Sequence, residues 1–200
     1  MIKIKICGIT NLNDAFLCEN LGFDALGFVF AENSKRFINP EMARDIILQL
    51  NPFTMKIGVF TTENVDYINK VANFVGLNAV QLYTKNILII ENVQFPKILS
   101  VSQNNIDIAI KLIDKYKILL DTQVDGQVGG TGKTFNWEIL PAEFRSKVIL
   151  AGGLNSENIV KAYELGYRNF DLSSSVEVEK GKKDNTKLEK LKNVINYLKG

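Results

Sequence analysis

Short apolar, β-branched runs alternate with longer amphipathic stretches from one end of the chain to the other. The short runs predict strands at Ile2–Cys7, Ala25–Phe30, Met55–Phe60, Ala79–Tyr83, Lys97–Val101, Lys117–Asp121, Lys147–Ala151 and Asn169–Ser173. The stretches between them predict helices at Asn13–Leu21, Glu41–Leu50, Val65–Val75, Ile106–Lys115, Trp137–Phe144, Glu157–Leu165 and Thr186–Leu198. Thr84–Phe95 is ambiguous, because Ile87-Leu88-Ile89-Ile90 fits a short helix or an added strand equally well by period. Thr10 or Asn11 is placed to cap the first helix, and Asn155 or Ser156 the helix after the seventh strand.

Alternating strands and helices imply an α/β fold with a parallel sheet and right-handed crossovers. Eight such units in 200 residues leave about 25 residues each. That is enough for a strand of ~5, a helix of ~11 and two short loops. The pattern therefore predicts a single (βα)8 TIM barrel over residues 1–200, eight parallel strands with surrounding helices. A doubly wound sheet would need fewer units and a Gly-rich turn after its first strand. Here that turn reads Cys7-Gly8-Ile9-Thr10, with one glycine.

Strand parity locates the candidate chemistry. Ile2, Ile4 and Ile6 share one side of the first strand and should meet the helices, so Lys3, Lys5 and Cys7 point into the barrel. The same parity pairs Gln81 with Tyr83, Leu119 with Asp121, and Asp171 with Ser173. Polar groups thus converge on the C-terminal mouth, where barrel enzymes place their sites. Lys3 and Lys5, deeper inside, require partners.

Composition narrows the chemistry. The chain contains no histidine, which excludes Ser-His-Asp and Cys-His nucleophilic catalysis, His-ligated zinc and His general bases. Proton transfer must run on Cys, Asp, Glu, Lys or Tyr. Two cysteines make no disulfide framework and suit a reducing compartment. A net charge of +2 gives no case for nucleic acid. The alternating start Met1-Ile2-Lys3-Ile4-Lys5-Ile6 lacks the apolar run of a signal peptide, and no later stretch reaches membrane-spanning length. The expectation is a cytoplasmic protein without membrane or nucleic-acid partners.

Several residues could carry chemistry. Cys7 is a strand-end thiol beside Gly8, either a buried structural cysteine or a base; Cys18, in a helix with Ala15 and Leu21, reads as packing. Asp121 and Asp171 close strands at the mouth, as loop-fixing carboxylates or as proton donor and acceptor. Gly129-Gly130-Thr131-Gly132-Lys133-Thr134 is not a phosphate loop, because position 127 is Gln and Phe135-Asn136-Trp137 delays the helix. It reads instead as a flap over the mouth. Gly152-Gly153 and Ser173-Ser174-Ser175 follow the seventh and eighth strands, the usual phosphate cradle of this fold. Arg36 follows the second strand and offers a planar fork for a carboxylate, or is a solvated loop charge. The charged run Glu179–Asp184 reads as a solvated loop.

Taken in order, Lys5-Ile6-Cys7-Gly8-Ile9-Thr10, Gly27-Phe28-Val29-Phe30, Ser34-Lys35-Arg36, Gly58-Val59-Phe60, Val80-Gln81-Leu82, Leu120-Asp121-Thr122, Gly129 to Phe135, Ala151-Gly152-Gly153-Leu154, Val176-Glu177 and Gly181-Lys182-Lys183-Asp184 resemble the phosphoribosylanthranilate isomerases. The resemblance spans nearly the whole chain. It implies a cofactor-free, metal-free barrel enzyme of tryptophan biosynthesis, acting on a small phosphorylated substrate by an Amadori rearrangement; the expected assembly is a monomer or homodimer, which the sequence leaves open. Carried over, Asp121 would be the general acid and Cys7 the general base. Arg36 would hold the anthranilate carboxylate, Asp171 would contact the sugar, and Gly152, Gly153, Ser173 and Ser174 would hold the phosphate. Two positions depart from the family's usual pattern: Tyr83 stands where His is usual, and Ser175 where Gly is usual.

Overall fold

The computed structural model describes residues 1–124, 127–128 and 135–200. The Gly-rich stretch 129–134, expected as a flap, lies outside the described residues. Eight parallel strands close into a barrel. They are β1 (Lys3–Cys7), β2 (Ala25–Val29), β3 (Met55–Phe60), β4 (Ala79–Leu82), β5 (Lys97–Ser102), β6 (Lys117–Asp121), β7 (Ile149–Leu150) and β8 (Asn169–Leu172). β1 pairs with both β2 and β8, in register Lys5 to Ala25 and Lys5 to Asp171, which closes the ring. The helices are α1 (Leu12–Asn20), α2 (Pro40–Ile47), α3 (Val65–Val75), α4 (Ile87–Asn92), α5 (Ile106–Leu112), α6 (Ala142–Arg145), α7 (Ile159–Glu164) and α8 (Asn185–Lys199).

Local chemistry explains the boundaries. Asn11, Asn39, Asn64 and Asn86 each accept a backbone N–H from the first turn of the helix they precede, satisfying donors that a helix start leaves free. The ambiguous Ile87 run resolves as helix α4, with Asn86 as its cap and Ile90 buried. Asn155 accepts from the N–H groups of Glu157 and Asn158 in the turn that leads into α7.

The predicted helix Trp137–Phe144 is corrected. It is a 3-10 turn at Trp137–Ile139 followed by the short helix α6. Pro141 has no N–H to donate and forces the preceding Leu140 into extended backbone, φ −83° and ψ 127°. The seventh strand is likewise shorter than Lys147–Ala151, pairing with its neighbours over Ile149–Leu150.

Two apolar layers follow from strand parity. Ile2, Ile4, Ile6, Phe28, Phe30 and Phe60 face outward into the core between barrel and helices, each burial worth about 1.5–3 kcal/mol. Ala25, Ile57, Ala79, Ile98, Leu119 and Ala151 fill the lower barrel interior. Above them the interior turns polar. Lys3, expected inside, is half-exposed at the barrel bottom, 2.6 Å from Asp24.

Candidate active site

The polar upper interior opens into a cavity of about 130 Å3 at the C-terminal mouth. Cys7, Arg36, Asp121, Gly152, Gly153, Asp171, Ser173 and Ser174 all line it. These residues come from five separate stretches of sequence, which reach one space because each follows or ends a barrel strand. A larger cavity of about 330 Å3, mostly apolar, lies between α4 and α5 and shares only Tyr83 and Asp121 with the first.

Cys7 ends β1 against Val29, Ala31, Val59 and Tyr83. A Cβ on Gly27 of the neighbouring strand would stand 2.8 Å from the Cys7 Sγ and 3.0 Å from Lys5 Cε. Glycine there is what lets the thiol and the lysine stem share the interior. Burial pushes the Cys7 thiol up, and Lys5 and Lys183 pull it back only in part. The thiol form therefore prevails.

Lys5 is buried, with Nζ donating to Asp171 Oδ2 and to Gln81 Oε1, both at 2.9 Å. Burial works against the ammonium, but Asp171 and Cys7 outweigh it and hold Lys5 above the usual lysine range. Burial raises the Asp171 carboxyl in turn, with Lys5 opposing. Asp171 Oδ1 is buried and finds no hydrogen-bond partner among the described residues. The residue lines the cavity.

Asp121 lies across the mouth. Tyr83 donates to its Oδ2 at 3.0 Å and the Thr122 backbone N–H to its Oδ1 at 2.7 Å. Burial nonetheless pushes this carboxyl up to about 6, the Tyr83 bond opposing and Asp171 adding to the rise. Burial and Asp121 keep Tyr83 itself a neutral phenol, well above the usual value. A carboxyl near 6 holds a usable proton population near neutrality.

Arg36 is not a free loop charge. Its Nε and Nη2 donate in parallel to Glu177 at 2.8 and 2.7 Å. Glu177 also accepts from Lys183 Nζ at 2.9 Å, and that ammonium donates to the backbone oxygen of Cys7 at 2.6 Å. Burial works to raise Glu177, but Arg36 and Lys183 prevail and hold it below the ordinary glutamate value. Nη1 of Arg36 is not engaged by Glu177 and the residue lines the cavity, so the fork keeps donors for a ligand.

The charged run 179–184 is accordingly corrected. Glu177–Glu179 and Lys182–Lys183 form an antiparallel ribbon that buries Lys183, while Asp184 caps α8. Sequence reasoning passed over Lys183 because charge-rich composition masks one inward residue. The hint lay in the motif Gly181-Lys182-Lys183-Asp184 itself.

At the proposed cradle, Gly152 and Gly153 adopt φ of 83° and 68°. A Cβ on Gly152 would lie 2.7–2.8 Å from Thr122 atoms, so both strain and contact select glycine there. The Ser173 hydroxyl donates to Cys7 O at 3.1 Å. Ser175, where the family's usual residue is glycine, sits in a 3-10 turn over Ser174–Val176, a backbone any residue adopts. The residue lines the cavity, and its hydroxyl is buried without a hydrogen-bond partner among the described residues.

Known proteins share this chain's sequence pattern and fold. A family profile described as N-(5'phosphoribosyl)anthranilate (PRA) isomerase matches residues 4–194. The N-(5'-phosphoribosyl)anthranilate isomerase of Thermotoga neapolitana is 44% identical over 195 residues, covering 92% of this chain and 93% of the relative. The crystal structure of phosphoribosyl anthranilate isomerase from Thermotoga maritima superposes with a TM-score of 0.88 at 39% identity, covering 98% of this chain and 100% of that one. A second solved isomerase, in complex with reduced 1-(o-carboxyphenylamino)-1-deoxyribulose 5-phosphate, superposes with a TM-score of 0.86 at 35% identity and the same coverage.

Proposed function

Since the chain belongs to the N-(5'-phosphoribosyl)anthranilate isomerase family, we propose that Cys7 and Asp121 are the general base and general acid of its reaction. The enzyme converts N-(5-phosphoribosyl)anthranilate to 1-(2-carboxyphenylamino)-1-deoxyribulose 5-phosphate in tryptophan biosynthesis. In this reading Asp121 gives its proton to the furanose ring oxygen as the C1–O bond breaks and the anthranilate nitrogen forms C1=N. Cys7 then takes the C2 proton, the C2–H electrons form C1=C2, and the iminium electrons return to nitrogen. The resulting enolamine tautomerises to the ketone.

The observation that carries the proposal is the placement of a thiol and a carboxyl raised to about 6 on one small cavity. Arg36 would hold the anthranilate carboxylate through donors left free by Glu177. Asp171 Oδ1, without a hydrogen-bond partner among the described residues, would accept from a sugar hydroxyl, and the Gly152-Gly153 and Ser173–Ser175 loops would supply an anion cradle.

The test is the loss of substrate fluorescence with purified protein. Cys7→Ser and Asp121→Asn should each lower kcat at least ~10²-fold. Turnover within a few-fold of the parent in Cys7→Ser would transfer the base role to another group, Asp171 first.

A further inference from the structure

A continuous hydrogen-bonded chain crosses the barrel interior from beneath Cys7 to Asp121, and the atom inventory leaves only one direction for it. Lys5 carries donors and no acceptor. The Gln81 amide must therefore turn its Oε1 toward Lys5, at 2.9 Å. Its two N–H groups then face outward, to Ser100 Oγ at 3.1 Å and to the Tyr83 oxygen at 3.2 Å. With its oxygen already accepting, Tyr83 spends its single proton on Asp121 Oδ2 at 3.0 Å. Flipping the amide would set its N–H groups against an ammonium that Asp171 holds in place at 2.9 Å.

We infer that Tyr83 is a positioning residue for the acid, the last link of a one-way relay Lys5–Gln81–Tyr83–Asp121 that fixes where the Asp121 carboxyl can carry its proton. Tyr83 occupies one lone pair of Asp121 Oδ2 and the Thr122 N–H one of Oδ1, with the Thr122 hydroxyl 3.5 Å from the same Oδ1. The proton must take a lone pair that neither fills, and it is never lent to Tyr83, because Tyr83 is committed as a donor. The relay also ties the acid to the charge beside the base, since Lys5 lies next to both Cys7 and Asp171. Among the described residues the charged and titratable groups facing Asp121 are Tyr83 just after β4, Asp171 from β8 and Lys5 from β1, with Cys7 on the same cavity.

The inference rests on the proposed role of Asp121, and its test separates the two. The active state needs a protonated acid and an ionised base, so the acid limb of the pH–rate profile follows Asp121, near 6. Tyr83→Phe keeps the ring and removes the donor. The acid limb, and the Asp121 carboxyl titration read by carbon NMR without substrate, should both move up by about one pH unit. Gln81→Met frees the Tyr83 hydroxyl to rotate and should give a smaller shift in the same direction. Ser100→Ala removes a neighbour outside the relay and should leave the limb in place.

An unmoved carboxyl titration in folded Tyr83→Phe overturns the relay. If that variant does not fold, an unmoved titration in Gln81→Met does the same. An active Asp121→Asn alongside a shifted titration in Tyr83→Phe would remove the acid role and leave the relay standing.

Discussion

Asp121→Asn should disable the enzyme and stabilise its fold at the same time. The side chain is 6% exposed and its carboxyl is raised from 3.8 to about 6. A folded value above the unfolded one means that the native state holds the proton more tightly. Ionisation of Asp121 therefore costs folding energy, and that cost is fully present above the folded value. A difference of about two pH units corresponds to about 3 kcal/mol. Asparagine is close in shape and never ionises, but it cannot accept from both Tyr83 and the Thr122 N–H. Losing one hydrogen bond offsets about 1 kcal/mol. The net gain at pH 7.5 is about 2 kcal/mol, or roughly 4–8 °C in Tm for a chain of this length. As pH falls from 6 toward 3.8 the parent regains its proton and the advantage shrinks. The two stability curves should cross near about pH 4.5. Urea unfolding of parent and variant from pH 4 to 8 measures this directly, with kcat read on the same preparations. A variant no more stable than the parent at pH 7.5, or a gain independent of pH, would refute the claim that burial raises this carboxyl.

Three further outcomes follow from the same geometry. Glu177→Gln leaves Arg36 and Lys183 beside a neutral amide and should destabilise the fold by about 3–5 kcal/mol in urea unfolding; adding Lys183→Met should recover part of that loss, and its failure to do so would show that the pair is not coupled through Glu177. Gly153→Asp places a charge and bulk at the proposed cradle and should raise KM, with inorganic phosphate competing against substrate in the parent; purely noncompetitive phosphate inhibition would place the cradle elsewhere. Thiol alkylation should titrate Cys7 and be blocked by product, whereas Cys18, with its thiol pushed up to about 12 by burial in α1, should stay unlabelled in the folded protein; protection of Cys7 and labelling of Cys18 would invert the assignment.

The barrel was legible in the chain because period-2 and helical patterns alternate regularly, and because eight strand–helix units fit the length. Parity also told which ends of the strands gather polar groups, since a strand that buries Ile2, Ile4 and Ile6 outward must turn Lys5 and Cys7 inward. Single side chains such as Cys7, Asp121 and Asp171 could be picked out because each interrupts or ends an apolar strand. What the chain could not disclose was which of these groups meet. Lys5 finds Gln81 and Asp171, 76 and 166 residues away. Arg36 finds Glu177, and Lys183 in a charge-rich run turns inward to Cys7. No local pattern encodes such pairings, because they arise only when the closed barrel brings β1 beside β8 and points every strand end at one mouth. The proton affinity of Asp121 is likewise a property of the assembled interior. Desolvation and the Tyr83 hydrogen bond act through space, and neither exists in the extended chain.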